Sequence, residues 1–203
     1  MPELKNVVLD MGNVLLRYDP QVSLDRFCRT GEEKEQIRNE LFLGPEWAQG
    51  DLGLIREEEK FDLVKRRVPE TLWEPLKQCC EQWDICMKPL PGALEFCRAV
   101  KGRGCRLFVL SNASDSFYRI FPREMPVELF DGFVISADLH LCKPDLGIYE
   151  HLLEKFGLTA QECLFLDDSL ENVKGARAAG LRAHHFQGDF SRERAWLQQN
   201  FSI

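Results

Sequence analysis

Residues 163–180 read CLFLDDSLENVKGARAAG, and this stretch decides the fold. The run from Cys163 to Asp167 is apolar until it stops on acid, as a strand buried on both faces does where it reaches solvent. Ser169 is placed to cap a helix that carries Val173 and Ala176 inward, and Gly180 is its expected terminator. Four further runs have the same strand character: Asn6–Asp10 (NVVLD), Arg106–Ser111 (RLFVLS), Gly132–Ile135 (GFVI) and Arg182–His185 (RAHH). From the second strand onward they alternate with helical patterns. A helix from Pro144 to Phe156 has proline in its first turn, shows Ile148, Leu152, Leu153 and Phe156 on one face, and stops at Gly157. Residues Thr159 to Glu162 (TAQE) read as a capping box on a short turn. Strand and helix in alternation predict an α/β protein with a doubly wound, Rossmann-like parallel sheet.

The rhythm breaks between the first and second strands. Leu16 to Lys88 shows no strong strand signal, only helical stretches near 20–29, 32–43, 55–67 and 70–84, punctuated by Gly31, Gly44-Pro45, Gly50–Gly53 and Pro69. Such a segment is too long for a crossover and too patterned for a loop. The expected division is a core of residues 1–15 and 89–203 with a helical cap at 16–88.

Composition narrows the function. With 44% hydrophobic and 29% charged residues the 203-residue chain is of ordinary globular type. A net charge of −7 disfavours nucleic acid and anionic membranes as partners. The acidic run Glu57–Glu59 and the basic run Lys65–Arg67 read as a solvated helix face with intrahelical ion pairs. Eight cysteines include no CxxC pair and no zinc-like spacing to the four histidines, so all are expected to be reduced thiols. No apolar run is long enough for a membrane span, and no signal segment precedes the first strand, so a cytoplasmic location is expected.

In an open parallel sheet, ligands bind beyond the carboxyl ends of the strands. Those ends carry Asp10 followed by Met11-Gly12, then Ser111-Asn112, then Lys143 after the third strand, and Asp167-Asp168. A carboxylate is a competent nucleophile toward phosphorus. Asp10 and Asp168, from two strands, provide hard oxygen ligands for Mg²⁺. Ser111 and the backbone amides after Asp10 are placed to hold phosphate oxygens, while Lys143 balances charge. Trp47 and the turn Gly50–Gly53 read as packing and connection, with reach over the site as the alternative. His184 and His185 read as partly buried strand histidines.

Taken in order, VVLDMGNVLL, VLSNAS, KPDLGIY and FLDDSLENVKGARAAG resemble the four motifs of the haloacid dehalogenase superfamily, with Leu16–Lys88 where that family places its helical C1 cap. The pattern is most similar to the bacterial α-D-glucose-1-phosphate phosphatase-like branch. The resemblance implies a Mg²⁺-dependent phosphatase working through a phosphoaspartate. Asp10 would be the nucleophile, Met11, Gly12, Ser111 and Asn112 phosphate contacts, and Lys143 the orienting cation. The metal site would be Asp10, the Gly12 carbonyl, Asp167 and Asp168. The expected substrate is a small phosphorylated metabolite of the sugar phosphate class, with a sugar 1-phosphate as the finer alternative, and the expected assembly a monomer or weak homodimer.

One departure matters. Most phosphatases of this superfamily carry a second aspartate two residues after the nucleophile, as general acid and then general base. Here that position is Gly12, and the lost group is typically worth ~100- to 10,000-fold in rate. A phosphate-binding or regulatory protein, impaired in catalysis, is therefore one alternative; a phosphosugar mutase is another, weakened by Gly12 because it needs strong acid–base help. An anomeric leaving group, more acidic than an ordinary alcohol, favours retained activity.

Overall fold

The computed structural model describes residues 3–201. Five parallel strands form one sheet: β1 (Asn6–Leu9), β2 (Arg106–Ser111), β3 (Gly132–Ile135), β4 (Cys163–Asp167) and β5 (Arg182–His185), in the order β3-β2-β1-β4-β5. This is the doubly wound arrangement expected from the sequence, with β1 at the centre and the order reversing on either side of it. Alternate strand residues serve opposite faces, as a two-residue period requires. Val7, Leu9, Leu107, Val109, Leu164 and Leu166 pack into one core, while Val8, Phe108, Leu110 and Phe165 pack into the other.

Helices follow this division. Between β1 and β2 lie α1 (Pro20–Phe27), α2 (Gly31–Ile37), α3 (Pro45–Asp51), α4 (Lys60–Val64), α5 (Trp73–Gln82) and α6 (Ala93–Gly102). Then come α7 (Phe117–Glu124), α8 (Ser136–Leu139), α9 (Leu146–Phe156), α10 (Leu170–Ala178) and α11 (Phe190–Asn200). Buried residues of α9 and α10 cover one face of the sheet, while α6, α7 and α11 cover the other. Leu24, Ile37, Leu41, Val64 and Leu76 of the helical segment join the core of Val7, Leu9 and Leu107 without a break. The segment leaves and returns through adjacent backbone: Arg17 donates to the Lys88 carbonyl at 2.8 Å and Leu90 to that of Leu15 at 2.9 Å.

Several local expectations need correction. The helix placed at Pro144 begins at Leu146, where the Asp145 carboxylate caps the Gly147 amide at 2.8 Å. Thr159 does precede a short turn, Ala160–Glu162, but its side chain caps nothing. Its carbonyl accepts from Glu162 and from the Cys163 thiol instead. The charged runs are not merely a solvated face. Arg67 crosses to Glu40 and Glu46 at 2.7 and 2.6 Å, and Glu57 turns inward to a buried Lys60. The eight cysteines are all free thiols, as expected.

Candidate active site

The central strand delivers Asp10. Flanked by β2 and β4, β1 continues its ladder one residue further, with the Asp10 amide bonded to the Leu166 carbonyl at 3.0 Å. The carboxylate is therefore held at the sheet's carboxyl edge and is only 8% exposed. A tight reversal follows, in which Asn13 adopts φ 53° and its amide reaches the Leu16 carbonyl at 2.7 Å. Asparagine tolerates that left-handed geometry better than most residues.

Lys143 organises the centre. Its ammonium, buried to 1% side-chain exposure, donates to Asp10 Oδ1 at 2.8 Å, to Asp167 Oδ2 at 2.7 Å and to the Leu110 carbonyl at 2.9 Å. All three donors are thereby used. Its backbone is clamped by Asn112, whose amide accepts from Lys143 N at 2.8 Å and donates to Lys143 O at 2.9 Å. Gly175 permits the approach of this loop to α10, since a Cβ there would lie 2.7 Å from the Pro144 carbonyl oxygen. Burial opposes the ammonium, but the carboxylates of Asp10 and Asp167 outweigh it and hold the Lys143 pKa above its usual value.

Asp167 is bonded on both oxygens. It accepts from Ser169 N at 2.8 Å and from the Asn172 amide at 3.0 and 3.1 Å, besides Lys143. The Ser169 cap that begins α10 thus also fixes this carboxylate. Asp168 stands at the exposed rim, with its pKa raised by partial desolvation and then by Asp167. Burial pushes the Asp10 carboxyl up to about 6, with Lys143 pulling the other way. One oxygen from each of Asp10, Asp167 and Asp168 lies within 4.8 Å of the others. Three carboxylates against one ammonium leave a net negative centre of hard oxygen donors, and such a set fits Mg²⁺.

Each predicted site residue can now be placed. Asp10, Lys143, Asp167 and Asp168 come together. Asn112 lines the adjoining cavity, but its amide is engaged in holding Lys143. Ser111 is buried at the end of β2, and its hydroxyl has no hydrogen-bond partner among the described residues. Met11 and Gly12 line the cavity, although the Met11 amide already donates to Asp10 Oδ1 at 2.7 Å.

The cavity, of about 130 Å³, is closed on its far side by the helical segment. Tyr18, Trp47, Asp51, Lys60, Trp83 and Ser114 line it; for Trp47 and the turn that holds Asp51, reach over the site is the alternative the sequence offers, and the other four carry no site signal there. Trp47 packs edge-on against Trp83 at 5.1 Å and carries the Lys60 ammonium 4.1 Å from its ring centre. Glu57 ties the wall together, accepting from Lys60 at 3.0 Å, Trp83 Nε1 at 2.8 Å and Ser114 Oγ at 2.8 Å. A tryptophan two residues past a proline gives no local signal that distinguishes a cavity wall from a core.

A buried lysine thus bridges two strand-end carboxylates on the carboxyl edge of a Rossmann-like sheet. The chain belongs to the haloacid dehalogenase-like hydrolases, whose family profile matches residues 4–180. It is 29% identical over 182 residues to the sesquiterpene phosphatase AstK of Aspergillus oryzae, covering 89% of each chain. It is 32% identical over 131 residues to a phosphoglycolate phosphatase of Nitrosospira multiformis, covering 63% of this chain and 55% of that protein. Among solved structures, a HAD family enzyme of Bacteroides thetaiotaomicron in complex with magnesium and inorganic phosphate superposes with a TM-score of 0.76. That match spans 94% of this chain and 98% of the other at 22% identity, a likeness of fold. Among the described residues no helix is long and apolar enough to cross a membrane.

Proposed function

We propose that this chain is a Mg²⁺-dependent phosphatase that passes the phosphoryl group of a small metabolite to Asp10 and then to water. The observation that carries the reading is the convergence of Asp10, Asp167 and Asp168 around one buried lysine. Asp10 and Asp168 are the residues to hold the ion directly, because the oxygens of Asp167 already serve Lys143, Ser169 and Asn172. When bound, the ion neutralises phosphate charge and permits attack by an anionic carboxylate. Lys143 orients Asp10 and favours its ionised form against the effect of burial.

Residues 16–88 are proposed to be a cap of the C1 type, closing the substrate's organic part against the site. A sugar 1-phosphate fits that wall. The tryptophans of the cavity offer flat apolar faces beside the polar groups of Asp51 and Lys60. The glucose-1-phosphatase-like branch remains the favoured placing on the motif pattern. Gly12 favours a second reading, a phosphate-binding protein without turnover.

The test is phosphate release from a panel of sugar 1-phosphates and p-nitrophenyl phosphate, with and without Mg²⁺. Metal-dependent release that Asp10→Asn abolishes is expected. Undiminished turnover by that variant would remove Asp10 as nucleophile, and no release from any substrate would leave the binding reading.

A further inference from the structure

The carboxylate missing at position 12 has a counterpart on the opposite wall of the cavity. Asp51 is the last residue of α3, and it lines the same cavity as Asp10, Met11 and Gly12. Its backbone is fixed to the corner that follows β3. The Ser136 hydroxyl donates to the Asp51 carbonyl at 2.5 Å, and His140 Nδ1 lies 2.7 Å from the Leu52 carbonyl. Gly53, at φ 67°, lets the chain turn flat against α8, where a Cβ would fall 2.2 Å from the Ala137 carbonyl oxygen. The backbone is thus pinned while the carboxylate is not. Among the described residues, nothing hydrogen-bonds or ion-pairs with the Asp51 side chain.

We propose that Asp51 is the proton-transferring carboxylate of this enzyme, taking the part that Gly12 cannot play. The inference rests on the phosphatase reading above. In the first half-reaction an Asp10 oxygen bonds to phosphorus and the bond from phosphorus to the leaving oxygen breaks. Protonated Asp51 gives its proton to that oxygen, and the alcohol departs. In the second, water attacks the phosphorus while the Asp51 carboxylate takes one of its protons. The bond from phosphorus to Asp10 breaks, its electron pair returns to the Asp10 carboxylate, and inorganic phosphate leaves. Asp51 is again protonated, and one water has been consumed.

The surroundings suit a group that must work in both forms. Burial pushes the Asp51 carboxyl up to about 6; Lys60 pulls it down, Glu57 and Asp10 push it further up, and Lys143 pulls it down. The groups that face it are therefore Glu57 and Lys60 before and in α4, Asp10 after β1, and Lys143 before α9, with Tyr18 and the Cys142 thiol feeling its charge in turn. An isolated carboxylate with this balance gains or loses a proton near neutrality, whereas one salt-bridged to lysine would stay ionised.

The experiment separates substrates by leaving group. A simple alkyl phosphate needs its leaving oxygen protonated, and p-nitrophenyl phosphate, which releases an acidic phenol, does not. With Mg²⁺ present, Asp51→Asn is expected to lose ~100- to 10,000-fold in kcat/KM on the alkyl substrate and less than about tenfold on the aryl one. Because water activation also fails, acid-quenched enzyme turning over the aryl substrate should carry phosphate on Asp10, detected by mass. Equal losses on both substrates, or losses under about threefold on both, would overturn the role of Asp51. Asp10→Asn run in parallel tests the phosphatase reading itself: it must show neither turnover nor phosphoenzyme with either substrate. Asp51→Ser provides the same contrast in a second background, so a folding defect in one variant does not decide the outcome.

Discussion

The sheet edge and the helical wall of the cavity each hold a buried lysine, but they treat their acids differently. At the sheet edge the buried charges are bonded: Lys143 spends three donors on Asp10, Asp167 and Leu110, and Asp167 is held by Ser169 and Asn172, while Asp168 stands at the rim. On the helical side Trp47, Trp83 and Tyr18 make ring contacts, and Asp51 is pinned through its backbone alone. A lattice of charge-assisted hydrogen bonds fixes geometry to the fraction of an ångström that attack on phosphorus demands. The helical wall combines these rings with the Glu57–Lys60 pair and leaves one carboxylate, Asp51, without a bonded partner among the described residues. In the proposed reading, the chemistry of phosphorus falls to the sheet edge and protonation of the leaving group to the helical wall.

That contrast can be broken by substitution. The largest effect belongs to Asp10→Asn, expected to reduce Mg²⁺-dependent phosphate release at least ~10,000-fold, since an amide is not a nucleophile toward phosphorus. Lys143→Met should follow, and should cost stability as well as activity. It leaves Asp10 and Asp167 buried without their cation, a loss of about 3–5 kcal/mol that urea unfolding would read. If the sheet wall were as loosely bonded as the helical one, that variant would unfold at the wild-type midpoint.

The joint between the walls comes next. Asp84, near the end of the helical segment, accepts from Arg119 and Arg123 of α7 at 2.6 and 2.8 Å. Burial would raise its pKa, but the two guanidiniums outweigh that and hold it below the usual 3.8. A depressed folded-state pKa contributes stability that is complete above 3.8 and is lost as pH falls through the lower folded value. Asp84→Asn should therefore cost about 1–2 kcal/mol at neutral pH, less than a fully buried pair because both arginines stay half-exposed. The difference from wild type should shrink in urea unfolding below that pH.

The smallest structural effect and the sharpest functional one meet at Gly12. A Cβ there would have only Tyr18 Cβ near it, at 4.0 Å, and the position lies outside the left-handed region. Gly12→Asp is expected to shift the thermal midpoint by less than about 2 °C. In an Asp51→Asn background it should restore alkyl phosphate turnover at least about tenfold, as one carboxylate substitutes for the other.

How much of this was legible beforehand depends on the range of the physics. Four strand spans, Arg106–Ser111, Gly132–Ile135, Cys163–Asp167 and Arg182–His185, coincide with the elements found, and the first ends one residue before Asp10. The Ser169 cap and the Gly157 and Gly180 terminators also hold. Those features are written locally, in apolar runs and in capping residues. The misplaced Pro144 helix start and the unused Thr159 hydroxyl are local readings that their neighbours overrode. Gly44-Pro45 and Gly50–Gly53 read as punctuation, yet Pro45 opens α3 and the helix runs through Gly50 to Asp51. Glycine and proline mark helix ends only on average, and here packing of α3 against α4 and α8 prevails.

The sequence by itself determined the sheet, the order of its strand ends and the four charged residues gathered there. Parallel strands must present their carboxyl ends on one edge, so residues at those ends meet whatever the intervening loops do. The tertiary structure alone decided what faces them. Asp51 and Gly12 are separated by 39 positions of helical chain, and no periodicity relates them. They share a cavity only because the segment leaves and returns through paired backbone at Arg17 and Lys88, and because Gly53 lets α3 rest on α8.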